Sequence, residues 1–126
     1  MVQSEKRILV VEDDVDIREA LTELLQSEGF EVDSVANGHE GIKFLGEKTA
    51  ETYPALILLD LMMPIKDGWE FRAEQRADPR FSHIPVIVLS ADGGLKQKAE
   101  AIEADGYLKK PIEVDALLDI VQKYCS

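Results

Sequence analysis

Ala55-Leu56-Ile57-Leu58-Leu59-Asp60-Leu61-Met62-Met63-Pro64 is the stretch whose reading decides the fold. Five apolar residues run unbroken into one carboxylate, and more apolar residues follow. A lone charge closing such a run is not an ordinary surface charge. A short, solid apolar run marks a strand covered on both faces, as in a parallel sheet. Asp60 then stands at the carboxyl end of its strand, and in open parallel sheets ligands bind just outside those ends. The same punctuation recurs along the chain. Ile8-Leu9-Val10-Val11 runs into Glu12-Asp13, Val86-Ile87-Val88-Leu89 into Ser90, and Tyr107-Leu108 into Lys109-Lys110. Acids, a hydroxyl and an amine are thus delivered to one edge of one sheet.

Helical patterns separate these runs. Ile17, Leu21, Leu24 and Leu25 form one stripe of an amphipathic helix, which Gly29 ends. Phe30 to Val35 reads as a patchier strand. Asn37-Gly38 is a hairpin signal, but no periodic strand follows it; Gly41, Ile42 and Leu45 suggest a short helix instead. Asp67-Gly68-Trp69-Glu70 reads as an N-cap with an acid three residues on, opening a third helix in which Trp69 packs. Pro79 ends it. Leu95 to about Glu103 predicts a fourth helix with few large apolar residues, chiefly Ala99 and Ile102. Val114, Leu117, Leu118 and Val121 give a fifth its stripe. The pattern is (βα)5, which predicts an α/β fold: a doubly wound, five-stranded parallel sheet with helices on both faces. The first, third and fourth runs are solid and the other two patchier. The strand order is therefore expected to be 2-1-3-4-5, with Glu12, Asp13 and Asp60 meeting at the switch point.

The 126 residues fit one domain, 1-126, and 45% hydrophobic with 31% charged residues describe a globular chain. A net charge of -11 argues against direct nucleic-acid binding, which needs a basic face. It equally disfavours anionic membrane surfaces. No apolar run approaches the ~18 residues of a membrane span. Nothing at the start reads as a signal peptide. Cys125 is the only cysteine, so there is neither a disulfide framework nor a thiolate metal cluster. A cytoplasmic protein is expected.

Three carboxylates held together repel one another, and a cation is expected to hold them. Oxygen-only ligands favour a hard ion such as Mg²⁺. Asp60 can then act as a nucleophile toward phosphorus. Lys110 offers a second cationic contact and Ser90 a hydroxyl donor. No histidine or further carboxylate is placed as a base. The site looks built to accept a phosphoryl group more than to turn over a substrate.

Val10-Val11-Glu12-Asp13-Asp14, Leu58-Leu59-Asp60-Leu61-Met62-Met63-Pro64 with Asp67-Gly68, Leu89-Ser90-Ala91 and Tyr107-Leu108-Lys109-Lys110-Pro111 together resemble the receiver domain of two-component response regulators, of the single-domain chemotaxis-regulator type. The likeness covers essentially the whole chain. It implies the flavodoxin-like receiver fold, with Asp60 as phosphoacceptor and Glu12, Asp13, Asp60 and the Met62 carbonyl as Mg²⁺ ligands. It further implies that Ser90 swings to the phosphoryl group, Tyr107 is an aromatic switch, Lys110 pairs with the phosphate, and Pro111 follows a cis peptide bond. A sensor histidine kinase or a histidine phosphotransfer protein would be the donor. A downstream protein would read the face built from the fourth helix, fifth strand and fifth helix. No output domain is expected after the last helix, and no enzymatic turnover beyond the chain's own phosphorylation and dephosphorylation.

Other readings compete. An aspartate-based phosphohydrolase usually has a second acid two residues after its nucleophile, where this chain has Met62. A flavin carrier on the same fold needs a hydroxyl- and glycine-rich phosphate loop after the first strand. A docking-only pseudo-receiver would not need Asp60, Asp13, Ser90 and Lys110 together. Asp14 and Asp16 read as helix-start acids. Lys109, His39 and His83 read as surface residues. Ala91-Asp92-Gly93-Gly94 predicts a mobile loop into the fourth helix.

Overall fold

A computed structural model describes residues 6–49, 52–61, 66–91 and 93–125. Strands β1 (Arg7–Val11), β2 (Glu31–Val35), β3 (Leu56–Asp60), β4 (Val86–Ser90) and β5 (Gly106–Lys109) alternate with helices α1 (Val15–Ser27), α2 (Gly38–Gly46), α3 (Gly68–Ala77), α4 (Leu95–Ala101) and α5 (Val114–Cys125). Every pairing is parallel, and the sheet order is β2-β1-β3-β4-β5, as the patchiness of the second and fifth runs predicts.

The solid runs are solid because both faces are covered. Alternate residues of one strand serve two cores. Leu9, Val11, Ile57, Leu59, Val86 and Val88 pack with Leu45, Phe71, Leu95 and Ala99 under α2, α3 and α4. Ile8, Val10, Leu56, Leu58, Ile87 and Leu89 pack with Leu21, Leu25, Leu117 and Val121 under α1 and α5. Each helix starts where its local chemistry says. Asp14 caps α1, accepting from the Asp16 and Ile17 amides, and Gly29 follows its end at φ 93°. Asn37 caps α2 by accepting from the Glu40 amide, so Asn37-Gly38 opens a helix and not a hairpin. Asp67 and Glu70 close a full capping box at α3.

Two expectations shift. Helix α4 stops at Ala101, short of Glu103, whose φ of 56° lies outside any right-handed helix. Trp69 stays out of the core: it is 37% exposed, because Gly68 and Phe71 take the inward positions of the first turn of α3. Among the described residues, no helix is long and apolar enough to cross a membrane.

Candidate functional site: an acidic cleft at the carboxyl edge of the sheet

Parallel pairing aligns the strand ends, and register decides which side chains meet. Val11 pairs with Leu59, so Glu12 and Asp60 emerge side by side. Asp60 pairs with Leu89, and Ser90 with Lys109, which brings Ser90 and Lys110 to the same edge. Glu12 (0% exposed), Asp60 (3%) and Ser90 (2%) are buried, while Asp13 is exposed. One carboxylate oxygen from each of Glu12, Asp13 and Asp60 lies within 4.8 Å of the others. Lys110 Nζ closes the group, 2.7 Å from Glu12 Oε1 and 3.5 Å from Asp60 Oδ1. The cleft these residues line, with Asp14, Ile17 and Ala91, measures about 220 Å³. A larger apolar groove runs between α1 and α5, but Lys110 is its only charged lining residue, and it carries no comparable chemistry.

The backbone around the site is fixed from several sides. The Asp14 amide donates to Glu12 Oε2 at 3.1 Å, and Arg18 Nη1 donates to the Glu12 carbonyl at 2.8 Å. The Lys110 amide donates to the Ser90 carbonyl, and the Lys110–Pro111 bond is cis, as the resemblance implies. Gly68 lets α3 start against the Asp60-Leu61 backbone: a Cβ there would come within 2.7 Å of Leu61 Cα and 2.8 Å of the Asp60 carbonyl oxygen.

The electrostatics are strained in one direction. Burial pushes the Asp60 carboxyl up to about 8, helped by the Glu12 charge and by hydrogen bonds to Glu12 and Asp13; Lys110 only partly opposes this. Burial alone would pull the Lys110 ammonium down, but the hydrogen bond to Glu12 and the charges of Asp60 and Glu12 hold it above its ordinary value. The donor set is all hard oxygen, contains more negative charge than Lys110 can balance, and opens to solvent through Asp13. That fits a hydrated divalent cation of the Mg²⁺ class.

The structure thus brings together Glu12, Asp13, Asp60, Ser90 and Lys110 among the residues predicted for the site. The Met62 carbonyl lies outside the described residues. Tyr107 pairs with Val88 on the sheet face that carries α4, 42% exposed and apart from the cleft. Lys109, His39 and His83 are exposed, as expected. Arg18 escaped the sequence reading; its only signal was a cation in the first turns of α1, which helix surfaces commonly carry.

Comparison with known proteins identifies the family. Residues 8–122 match the model of the response regulator receiver domain family. The chain is 35% identical over 118 residues to the response regulator Rre1 of Synechocystis, a match covering 91% of this chain and 49% of that protein. It is 32% identical to PilG of Pseudomonas aeruginosa over 94% of this chain and 86% of that one. The chain spans about half the length of several curated relatives it matches. Among solved structures it is similar, at a TM-score of 0.85 and 27% identity, to the receiver domain of a Pseudomonas aeruginosa sensor histidine kinase with a magnesium ion coordinated in its active-site cleft. That match covers 95% of this chain and 97% of the other.

Proposed function

The chain belongs to the response regulator receiver domain family, and on that premise we propose that Asp60 accepts a phosphoryl group from a phosphohistidine on a sensor kinase or phosphotransfer protein. The observation that carries the reading is a buried carboxylate at the end of β3, flanked by two more carboxylates within 4.8 Å and by an ammonium at 3.5 Å.

An Asp60 oxygen attacks phosphorus, the phosphorus–nitrogen bond breaks, and the histidine nitrogen leaves with the electron pair. Lys110, held above its ordinary pKa, stays protonated and meets the charge on the phosphoryl oxygens. Ser90, on the adjacent strand, offers its hydroxyl to the same group. Glu12 and Asp13, with Asp60 and the Met62 carbonyl, would hold a Mg²⁺ ion. When bound, that ion supplies positive charge that keeps the carboxylates ionised together and neutralises the transferring group. The carboxylates beside the nucleophile are committed to the ion, so the role is to hold a signal and not to turn over a substrate. Phosphorylation draws Ser90 toward Asp60 and lets Tyr107 move inward. The face of α4, β5 and α5 thereby changes for a partner protein. A cytoplasmic setting suits a kinase donor.

The test is mass spectrometry after incubation with acetyl phosphate and Mg²⁺. One phosphoryl group should be added, none should be added to Asp60→Asn, and EDTA should prevent the addition. Wild-type labelling of Asp60→Asn would overturn the assignment. Full labelling in EDTA would remove the ion from the reaction.

A further inference from the structure

We propose that Arg72 and Gln75 of α3 form a latch that pins the carboxyl end of α4, so that α4 moves by swinging its amino end about a fixed carboxyl end. Only the cause of the swing rests on the reading of Asp60 as phosphoacceptor; the latch stands on its own geometry.

Arg72 and Gln75 are polar residues on the inward face of α3, 7% and 0% exposed. A buried guanidinium is costly unless its donors are used. Arg72 Nε donates to the Ile102 carbonyl at 3.1 Å, Nη2 to the Glu103 carbonyl, and Nη1 to Gln75 Oε1 at 2.7 Å. Gln75 Nε2 in turn donates to the Phe81 and Ile84 carbonyls at 2.9 and 3.0 Å. Ile102 and Glu103 lie just past the last turn of α4, where carbonyls lack helical partners and a cation is favoured. The rigid fork of an arginine can hold two such carbonyls and an amide oxygen at once, which a lysine cannot. Glu103 has φ 56°, a conformation unfavourable for a residue with a side chain. Arg72 holds that turn by its carbonyl.

The other end of α4 begins differently. Its N-cap is Gly94, at φ 69°, with no side-chain capping bond. Gly93 has nothing within 4 Å of where a Cβ would stand. Among the described residues of α4, only Leu95 and Ala99 are buried. One end of a seven-residue helix is therefore bolted to α3 by a closed network, and the other is set by glycines.

Amide hydrogen exchange of the whole chain by NMR reads both ends. In the resting, metal-free protein, the amides of Ile102 and Ala104, bonded to the Lys98 and Ala99 carbonyls, should exchange at least about tenfold more slowly than that of Lys98, bonded to the Gly94 carbonyl. Arg72→Met should accelerate Ile102 and Ala104 by about tenfold relative to the core amide of Leu58, and leave Lys98 within about threefold. Equal rates along α4, or a folded Arg72→Met with unchanged Ile102 and Ala104, would overturn the latch. If Arg72→Met does not fold, Arg72→Lys should show the same selective acceleration, and its absence counts against the latch equally. Adding beryllofluoride with Mg²⁺ should change rates at Lys98 and Ala99 more than at Ile102 to Asp105. A uniform change would refute the fixed end. No change anywhere would refute the Asp60 reading, while the resting-state rates still decide the latch.

Discussion

Two buried polar clusters sit at opposite edges of the same sheet, and they are built on opposite principles. Glu12 and Lys110 follow strands and Asp60 ends one; the carbonyls that Arg72 and Gln75 grip precede β4 and β5. In the second cluster, Arg72 uses all three of its nitrogens and Gln75 bonds through both ends of its amide. In the first, two buried carboxylates share one ammonium, and Asp60 is driven to hold a proton. A satisfied network rigidifies, whereas an over-charged one waits for a ligand. The contrast separates a satisfied polar core from a strained one on physical grounds.

The largest effect should come from breaking the satisfied cluster. Gln75→Leu keeps the volume but strands Arg72 Nη1 and the Phe81 and Ile84 carbonyls. Each buried group left unpaired costs about 1–3 kcal/mol. The melting temperature should fall by roughly 10 °C or more, measured by circular dichroism. A fall of under about 2 °C would mean that water replaces the lost bonds and that the network is not closed.

Breaking the acidic cluster should act the other way. In EDTA at pH 8, Asp60→Asn removes a repelled, desolvated charge, and the melting temperature should hold or rise by at least a few degrees. Asp13→Ala should do no worse than hold. A sharp loss in either variant would make the carboxylates structural.

The same buried charge links stability to protons. The Asp60 carboxyl moves from an ordinary 3.8 to about 8 in the fold. Between those values the folded state binds a proton that the unfolded chain has released, so raising the pH favours unfolding. The Asp60 contribution to metal-free stability should thus be complete below about pH 4 and lost as pH climbs through 8. Urea titrations in EDTA should show a steeper decline over that window for the wild type than for Asp60→Asn, and Mg²⁺ should flatten it. Parallel curves would show that Asp60 is ionised without metal.

The sequence made the acidic cluster legible and left the other hidden. Asp60, Glu12, Ser90 and Lys110 each end an apolar run, and a parallel sheet aligns such ends whatever the loops do. Strand order followed from the same runs, because the polar breaks in Glu31–Val35 and Gly106–Lys109 suit edges. Arg72 and Gln75 sit at helical spacing among Glu70, Glu74 and Arg76, where polar residues read as a solvated face. Their burial depends on carbonyls up to 31 positions away, which no local period reports. Trp69 fails for the converse reason: its size suggests packing, but its place in the turn points it outward. Cys125 showed only as a lone terminal thiol, and α5 turns it inward, where burial pushes it up to about 11.

The smallest effect should come from the exposed companion of the latch. Arg76 Nη1 meets Glu103 Oε2 at 2.6 Å, joining α3 to the same turn that Arg72 grips. The side chains are 45% and 67% exposed. Water and salt screen such a pair, and holding two long side chains in one geometry costs entropy, so exposed pairs add little. Arg76→Gln should leave the melting temperature within about 1 °C, and raising the salt concentration should not separate it from the wild type. The Ile102 and Ala104 amides should keep their protection. If Arg76→Gln loosened those amides as much as Arg72→Met, a surface charge would be holding α4. The distinction between a buried, closed network and an ordinary ion pair would then fail where it is most exposed to test.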